Sequence, residues 1–182
     1  RGNASSPMQM DTLVDDGARI GDAGTGFATM MNVVLPWFNL GNASVTLGLA
    51  KAALDAAVGH VTSARLEHID SRLADLPTIR QRIGRAAIQL AAQQEYVRAT
   101  ARKIADPDDS TMLYVLGARA SANEAALTIT DEAMRVCGGA AFSKHLPIER
   151  AFRDARAGHV MAPTADILYD FYAKAICGME LF

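Results

Sequence analysis

From Gly26 onward the apolar residues recur at helical intervals, and this periodicity predicts a succession of helices. The first long segment runs from about Gly26 to Ser63. Pro36 costs it one backbone hydrogen bond and predicts a kink. Its second half, Val45 to Val61, is alanine-rich, with Leu47, Leu54, Val58 and Val61 at helical spacing. Glu67 to Leu76 breaks the pattern with mixed charge. Pro77 suits a first helical turn, and Ile79, Ile83, Ala86, Leu90, Val97, Ala101 and Ile104 then form one apolar stripe. Asp106-Pro107-Asp108-Asp109 stops this helix, and Asp109 or Ser110 caps the next. The third stripe is Leu113, Leu116, Ala120, Leu127, Met134 and Cys137, ended by Gly138-Gly139 as a left-handed cap. Two shorter helices follow, one starting at Pro147 and carrying Ile148 and Phe152, the other running from Pro163 through Ile167, Leu168, Phe171 and Ile176.

Strand signals after Gly26 are nearly absent, so the expected fold is all-α. Three long helices and two shorter ones with short connections make an antiparallel up-down bundle over residues 26–182. Residues 1–25 are irregular, broken by Pro7, Gly17, Gly21 and Gly24 as loops and edge strands are. Arg1 to Pro7 reads as mid-protein sequence, with no signal peptide in the polar stretch Arg1–Asp16.

Composition narrows the partners. The 182 residues are 50% hydrophobic and 21% charged, with net charge −2, a globular balance with enough apolar surface for one core. Nucleic acid is not an expected partner, because phosphate binding needs a basic excess. The charge-free span between Asp22 and Lys51 is long enough to cross a bilayer. It carries Asn32, Asn39, Asn42, Ser44 and Thr46 and has no basic flank, so a buried central helix is expected and no membrane span. Cys137 and Cys177 give neither a disulfide framework nor metal-ligand spacing. Both are expected as buried free thiols, and a cytoplasmic setting follows. There is no Glu-x-x-His for a di-metal bundle and no nucleophile elbow, so neither metal nor nucleophilic catalysis is expected.

The last third is chemically dense. A helix ends in Gly138-Gly139, a tight loop follows, and Pro147 opens a helix carrying Arg150, Arg153 and Arg156. Glycines let backbone N–H groups approach a ligand's phosphates, and arginines add fixed positive charge. A plain helix cap accounts for the glycines equally well.

The run Gly138-Gly139 to Pro147-Ile148-Glu149-Arg150 and Arg153-Asp154-Ala155-Arg156 resembles a signature of the acyl-CoA dehydrogenase family. Gly24-Thr25-Gly26-Phe27 is similar to the opening of that family's carboxy-terminal domain, and Leu47 to Asp55 to its first helix. The resemblance spans essentially the whole chain and implies a helical domain from an enzyme that binds flavin adenine dinucleotide (FAD). Residues 1–25 would then be the residual end of a preceding β-domain and a linker. The resemblance also implies a homo-oligomer, a tetramer or a dimer, with each flavin completed by a neighbouring subunit, and an acyl-CoA or other small organic substrate.

Carried across by residue, Arg65 falls where a family arginine meets the flavin diphosphate, although Glu67 and His68 replace the phenylalanine and glycine that follow it. Arg135 takes a position usually held by glutamine, just before Gly138 and Gly139, where the resemblance implies contact with the FAD of a neighbouring subunit. Thr164 and Asp166 match residues near the adenine end. The family's catalytic glutamate aligns with Ala162, and its alternative position, near Phe38 and Asn39, also lacks a carboxylate. Alanine cannot accept a proton. The catalytic residues are therefore left unassigned, and three readings stand open: a dehydrogenase domain, a domain of a flavin monooxygenase of the same fold, and a non-catalytic oligomerisation bundle. The isolated chain is expected to be inactive.

Overall fold

The computed structural model describes residues 6–180; the first five positions of the expected amino-terminal tail lie outside the described residues. Residues 6–25 are irregular apart from one 3-10 turn, Asp16–Ala18. The long helix α1 spans Gly26–Ser63. A short antiparallel hairpin follows, β1 (Arg65–Leu66) against β2 (Ser71–Arg72), with Arg65 opposite Arg72. Then come α2 (Pro77–Ala105), α3 (Thr111–Cys137), α4 (Ile148–Val160) and α5 (Ala165–Ile176). Three long and two short helices form the antiparallel bundle that the periodicity predicts.

Helix α1 runs on through Pro36, and the preceding residues Met30–Val34 adopt a wider π-helical turn next to the hydrogen bond that proline cannot donate. Several local expectations need correction. The mixed-charge segment after Ser63 contains the hairpin, whose two-residue strands are too short for an alternating pattern to show. Ala101 is exposed, and the buried position near that end of α2 is polar Thr100, whose hydroxyl donates to the carbonyls of Tyr96 and Tyr114. Neither Asp109 nor Ser110 caps α3 with its side chain. Asp108 organises the turn instead, accepting from the Ser110 amide (2.9 Å) and hydroxyl (2.6 Å). Gly138 has φ 56° but ψ −137°, so it ends α3 without the left-handed helical conformation.

The core sits where α1 and α3 face each other. Ala43, Leu47, Ala50 and Leu54 of α1 pack on Ala122, Ala125, Ala126 and Ile129 of α3, and α2 closes one side with Ala86 and Leu90. So many alanines bring the helix backbones close, and packing at that density leaves little slack for added atoms. Further along, Ala57 and Val61 meet Val136, Ala141 and Ile148, which seats the start of α4. Leu168 docks α5 on Leu116 and Ala120.

α1 is long and apolar enough to cross a membrane. From Pro36 onward it nevertheless buries one face, including polar Asn39 and Thr46, as a core helix does. Its amino-terminal third differs: Phe27, Met30, Val33, Val34 and Trp37 are all exposed.

Candidate functional site

The end of α3 is shaped by one conformational requirement. Gly138 takes a positive φ, which favours glycine, and releases the chain into the 3-10 turn Gly138–Phe142. Gly139 is different: its φ is not positive, and a Cβ built on it would meet nothing within 4 Å. The bundle has no steric reason for glycine there. One turn earlier, Arg135 pairs with Glu132 at 3.6 Å. Glu132 also accepts two hydrogen bonds from Arg82 of α2, at 2.7 and 3.0 Å, so it ties the helix end into the bundle. Beyond the turn, Lys144, His145, Arg150 and Arg153 border a cleft of about 620 Å³, with Arg153 paired to Glu149. Cys137, beside Gly138, is buried, and burial pushes its pKa up to about 11. It is therefore a protonated thiol near neutral pH. The expectation of two buried cysteines fails at Cys177, which is exposed because α5 ends just before it.

Arg65 stands on the hairpin, its side chain 65% exposed and paired with Asp70 at 2.9 Å. Asp70 takes φ 43°, which turns the hairpin within a few residues. An aspartate tolerates that left-handed conformation better than most residues.

The third group lies between α4 and α5. Thr164 is the residue preceding α5, with extended backbone and no side-chain cap bond, and Asp166 is exposed in the first turn. Ala162 is exposed just before them, and its carbonyl accepts from Arg119 Nη2 at 3.3 Å. Arg119 is fully buried on α3. Its Nη2 also donates to the Met161 carbonyl (2.8 Å) and its Nη1 to Asn39 Oδ1 (2.6 Å), and its guanidinium lies 4.9 Å from the centre of the Phe38 ring. One turn on, buried Asn123 donates to the carbonyl of Gly158 at 2.9 Å. Gly158 is needed here, since a Cβ would come within 2.7 Å of the Thr46 hydroxyl and 2.8 Å of Asn123 Oδ1.

The six residues singled out from sequence, Arg65, Arg135, Gly138, Gly139, Thr164 and Asp166, lie on three separate segments. No side-chain hydrogen bond or ion pair among the described residues joins any two of them. What the fold does bring together is Asn39 and Ala162, both named from sequence as places without a carboxylate, with three residues that sequence reasoning passed over: Arg119, Asn123 and Gly158. One signal was present. Arg119 is the lone charge between Asp109 and Glu124, inside a run of small and apolar residues.

The family description "Acyl-CoA dehydrogenase, C-terminal domain" matches residues 24–177. Cyclohex-1-ene-1-carbonyl-CoA dehydrogenase of Geobacter metallireducens is 31% identical over 148 residues, covering 81% of this chain and 38% of that protein. A 3-sulfinopropanoyl-CoA desulfinase of Paraburkholderia xenovorans is 30% identical over 156 residues, covering 86% of this chain and 39% of its own length. Among solved structures, a glutaryl-coenzyme A dehydrogenase in complex with glutaryl-CoA superposes with TM-score 0.81 at 25% identity, over 89% of this chain and 40% of that one. The chain thus spans about two fifths of the length of the proteins it matches.

Proposed function

The chain belongs to the acyl-CoA dehydrogenase family as its carboxy-terminal helical domain, and from that premise we propose that it completes the FAD site of an oxidoreductase acting on an acyl-CoA. The observation that carries this reading is the family match over residues 24–177, and within it the exposed pair Gly138-Gly139, where Gly139, like Gly48 and Gly59, is required neither by a positive φ nor by packing. Such a position fits a backbone approached closely by a ligand. Arg65 and Arg135 are each more than half exposed; Arg65 would meet the flavin diphosphate and Arg135 the FAD of a neighbouring subunit, with Thr164 and Asp166 toward the adenine. Bound FAD supplies the electron acceptor. The chain's own residues bind and orient it, and the apolar flank of α1 around Trp37 and Phe38 keeps water from the reacting bond.

The exposed apolar residues Phe27, Met30 and Val33 support a homo-oligomer, dimer or tetramer, in which the start of α1, ahead of Trp37, is covered. The free thiols fit a reducing, cytoplasmic setting. The test is Gly139→Val in the full-length protein. It is expected to leave helicity unchanged and to lose FAD on gel filtration; a variant that keeps its flavin at unaltered affinity would overturn the reading.

A second reading rests on Ala162. The segment where a catalytic carboxylate is expected faces a buried cation, Arg119, and carries no acid. Chemistry that needs no α-proton base, such as flavin-dependent monooxygenation, suits that arrangement. The relatives named above include a desulfinase as well as dehydrogenases, so membership of the family leaves the reaction open. Adding acyl-CoA anaerobically to the full-length protein separates the two. Flavin bleaching without external reductant identifies a dehydrogenase whose base lies outside this chain. A flavin that stays oxidised in wild type, and bleaches only in Ala162→Glu, identifies a site that has given up proton abstraction.

A further inference from the structure

Arg119 is a fully buried cation whose hydrogen-bond partners are all neutral: Asn39 Oδ1, the Met161 carbonyl and the Ala162 carbonyl. Its charge persists, because a guanidinium does not deprotonate in proteins even where burial lowers its pKa. Burying a charge without a counter-charge is unfavourable, and even a buried ion pair can often be replaced by apolar side chains of similar volume without loss of stability. Packing alone therefore gives no reason for a cation here. Buried polar atoms without a partner among the described residues gather around it: the donors Arg119 Nε and Asn39 Nδ2, and the acceptors Asn42 Oδ1 and Asn123 Oδ1.

The charge also lies close behind a surface. Phe38 is 42% exposed and Trp37 59%, and Ala162, whose carbonyl accepts from the same guanidinium that lies over Phe38, is exposed as well. The guanidinium sits 4.9 Å behind the Phe38 ring centre. A group in contact with the outer face of that ring lies about 4 Å further out. Protein rather than water fills the gap, so the field is weakly screened.

Building on the acyl-CoA reading above, we propose that Arg119 is an electrostatic positioning residue. It fixes Met161 and Ala162 against Phe38, and its charge stabilises negative charge on an acyl thioester bound over that wall. Such a fixed charge, held without reorganisation, favours the enolate form of the thioester over the neutral form.

The probe is acetoacetyl-CoA, an acidic thioester that releases its α-proton to solvent and whose enolate absorbs in the near ultraviolet. It is titrated with pH on the full-length, FAD-loaded protein as wild type, Arg119→Lys, Arg119→Gln and Arg119→Met. His159, the titratable neighbour of the 161–162 segment, is unchanged throughout. Wild type and Arg119→Lys are expected to ionise the bound ligand at lower pH than free solution does. The two neutral variants should raise that ionisation by about one pH unit, a tenfold loss of preference for the enolate. Arg119→Gln keeps hydrogen-bond donors and covers the case in which Arg119→Met does not fold. A purely structural arginine would shift the melting temperature of the neutral variants and leave the ionisation where it is in wild type, which would overturn the proposal. Failure of wild type to bind the thioester at all would sink the acyl-CoA reading and the proposal with it, and would be seen before any variant is measured.

Discussion

Two polar regions of this bundle solve opposite problems. Around Arg119, Asn39, Asn123 and Gly158 the groups are buried and find one another across three helices. Around Arg65, Arg135 and Gly138-Gly139 they are exposed and bound only to near neighbours in sequence, such as Asp70 and Glu132. The first region is closely packed, so a Cβ at Gly158 has no room, although Arg119 Nε and Asn39 Nδ2 find no partner among the described residues. The second has charge and open backbone that the bundle itself does not use. A region of that kind makes sense when its counterpart lies elsewhere in the assembly.

The sharpest way to break this contrast is at Gly158. Replacing it with valine drives new carbon atoms into the Thr46 hydroxyl and Asn123 Oδ1, 2.7 and 2.8 Å from where the first would sit. Neither neighbour can retreat, since both are buried between packed helices. A loss of about 3 kcal/mol is expected, at the upper end of overpacking costs, read as a lower urea midpoint. An unchanged midpoint would mean that the buried region is looser than its geometry.

The exposed region predicts the reverse behaviour. Arg65→Ala and Arg135→Ala should each change the unfolding free energy by less than about 0.5 kcal/mol, as surface substitutions do. In the full-length protein each is expected to weaken FAD binding by about ten- to a hundredfold, the range for a lost charge-assisted hydrogen bond. Isothermal titration of the apoprotein with FAD measures it. Equal losses of stability and affinity would erase the distinction between the two regions.

Legibility in the sequence follows the same division. The helices were readable because Leu47, Leu54, Ile83 and Leu90 repeat with the helical period, and the amphipathic α4 because proline and arginines mark its start and outer face. The exposed residues were readable by motif, since Gly138-Gly139 and Arg150 to Arg156 sit at fixed local spacing. The buried cluster was not. Arg119 meets Asn39 across 80 residues of chain and Met161 across 42, and no local pattern encodes such a contact. The π turn at Met30–Val34 was hidden for a different reason. Proline announces a lost hydrogen bond but leaves open whether the helix kinks or widens to accommodate it.

Glu132 ties the exposed region to the body of the bundle, with only 14% of its side chain exposed. It accepts both bonds from Arg82 and also holds Arg135. Glu132→Gln removes the charge while keeping the shape. A loss of about 1 kcal/mol is expected, near the top of the range for exposed pairs because this one is partly buried. The same change releases Arg135 from its internal partner. FAD affinity in the full-length protein should then rise slightly or hold steady, and a fall would show that the ion pair orients Arg135 for its ligand.

The smallest effect belongs to an exposed charge that does find its partners within the chain. Asp108 sits between α2 and α3, where Lys103 and then the hydroxyl and amide of Ser110 lower its pKa to about 2. An unfolded aspartate titrates near 3.9, about two units higher. Its folded pKa is depressed, so its contribution to stability is complete above about pH 4 and fades as the pH falls through about 2. Asp108→Asn should therefore flatten the acid limb of the stability curve between about pH 4 and 2, and lower the plateau above it slightly. Thermal melts of wild type and variant across that range measure both. If the acid limb kept its slope in Asp108→Asn, Asp108 would belong with Arg65 and Arg135 among the charges the bundle does not need. Exposure by itself, and not the lack of an outside partner, would then explain why those groups are loosely held.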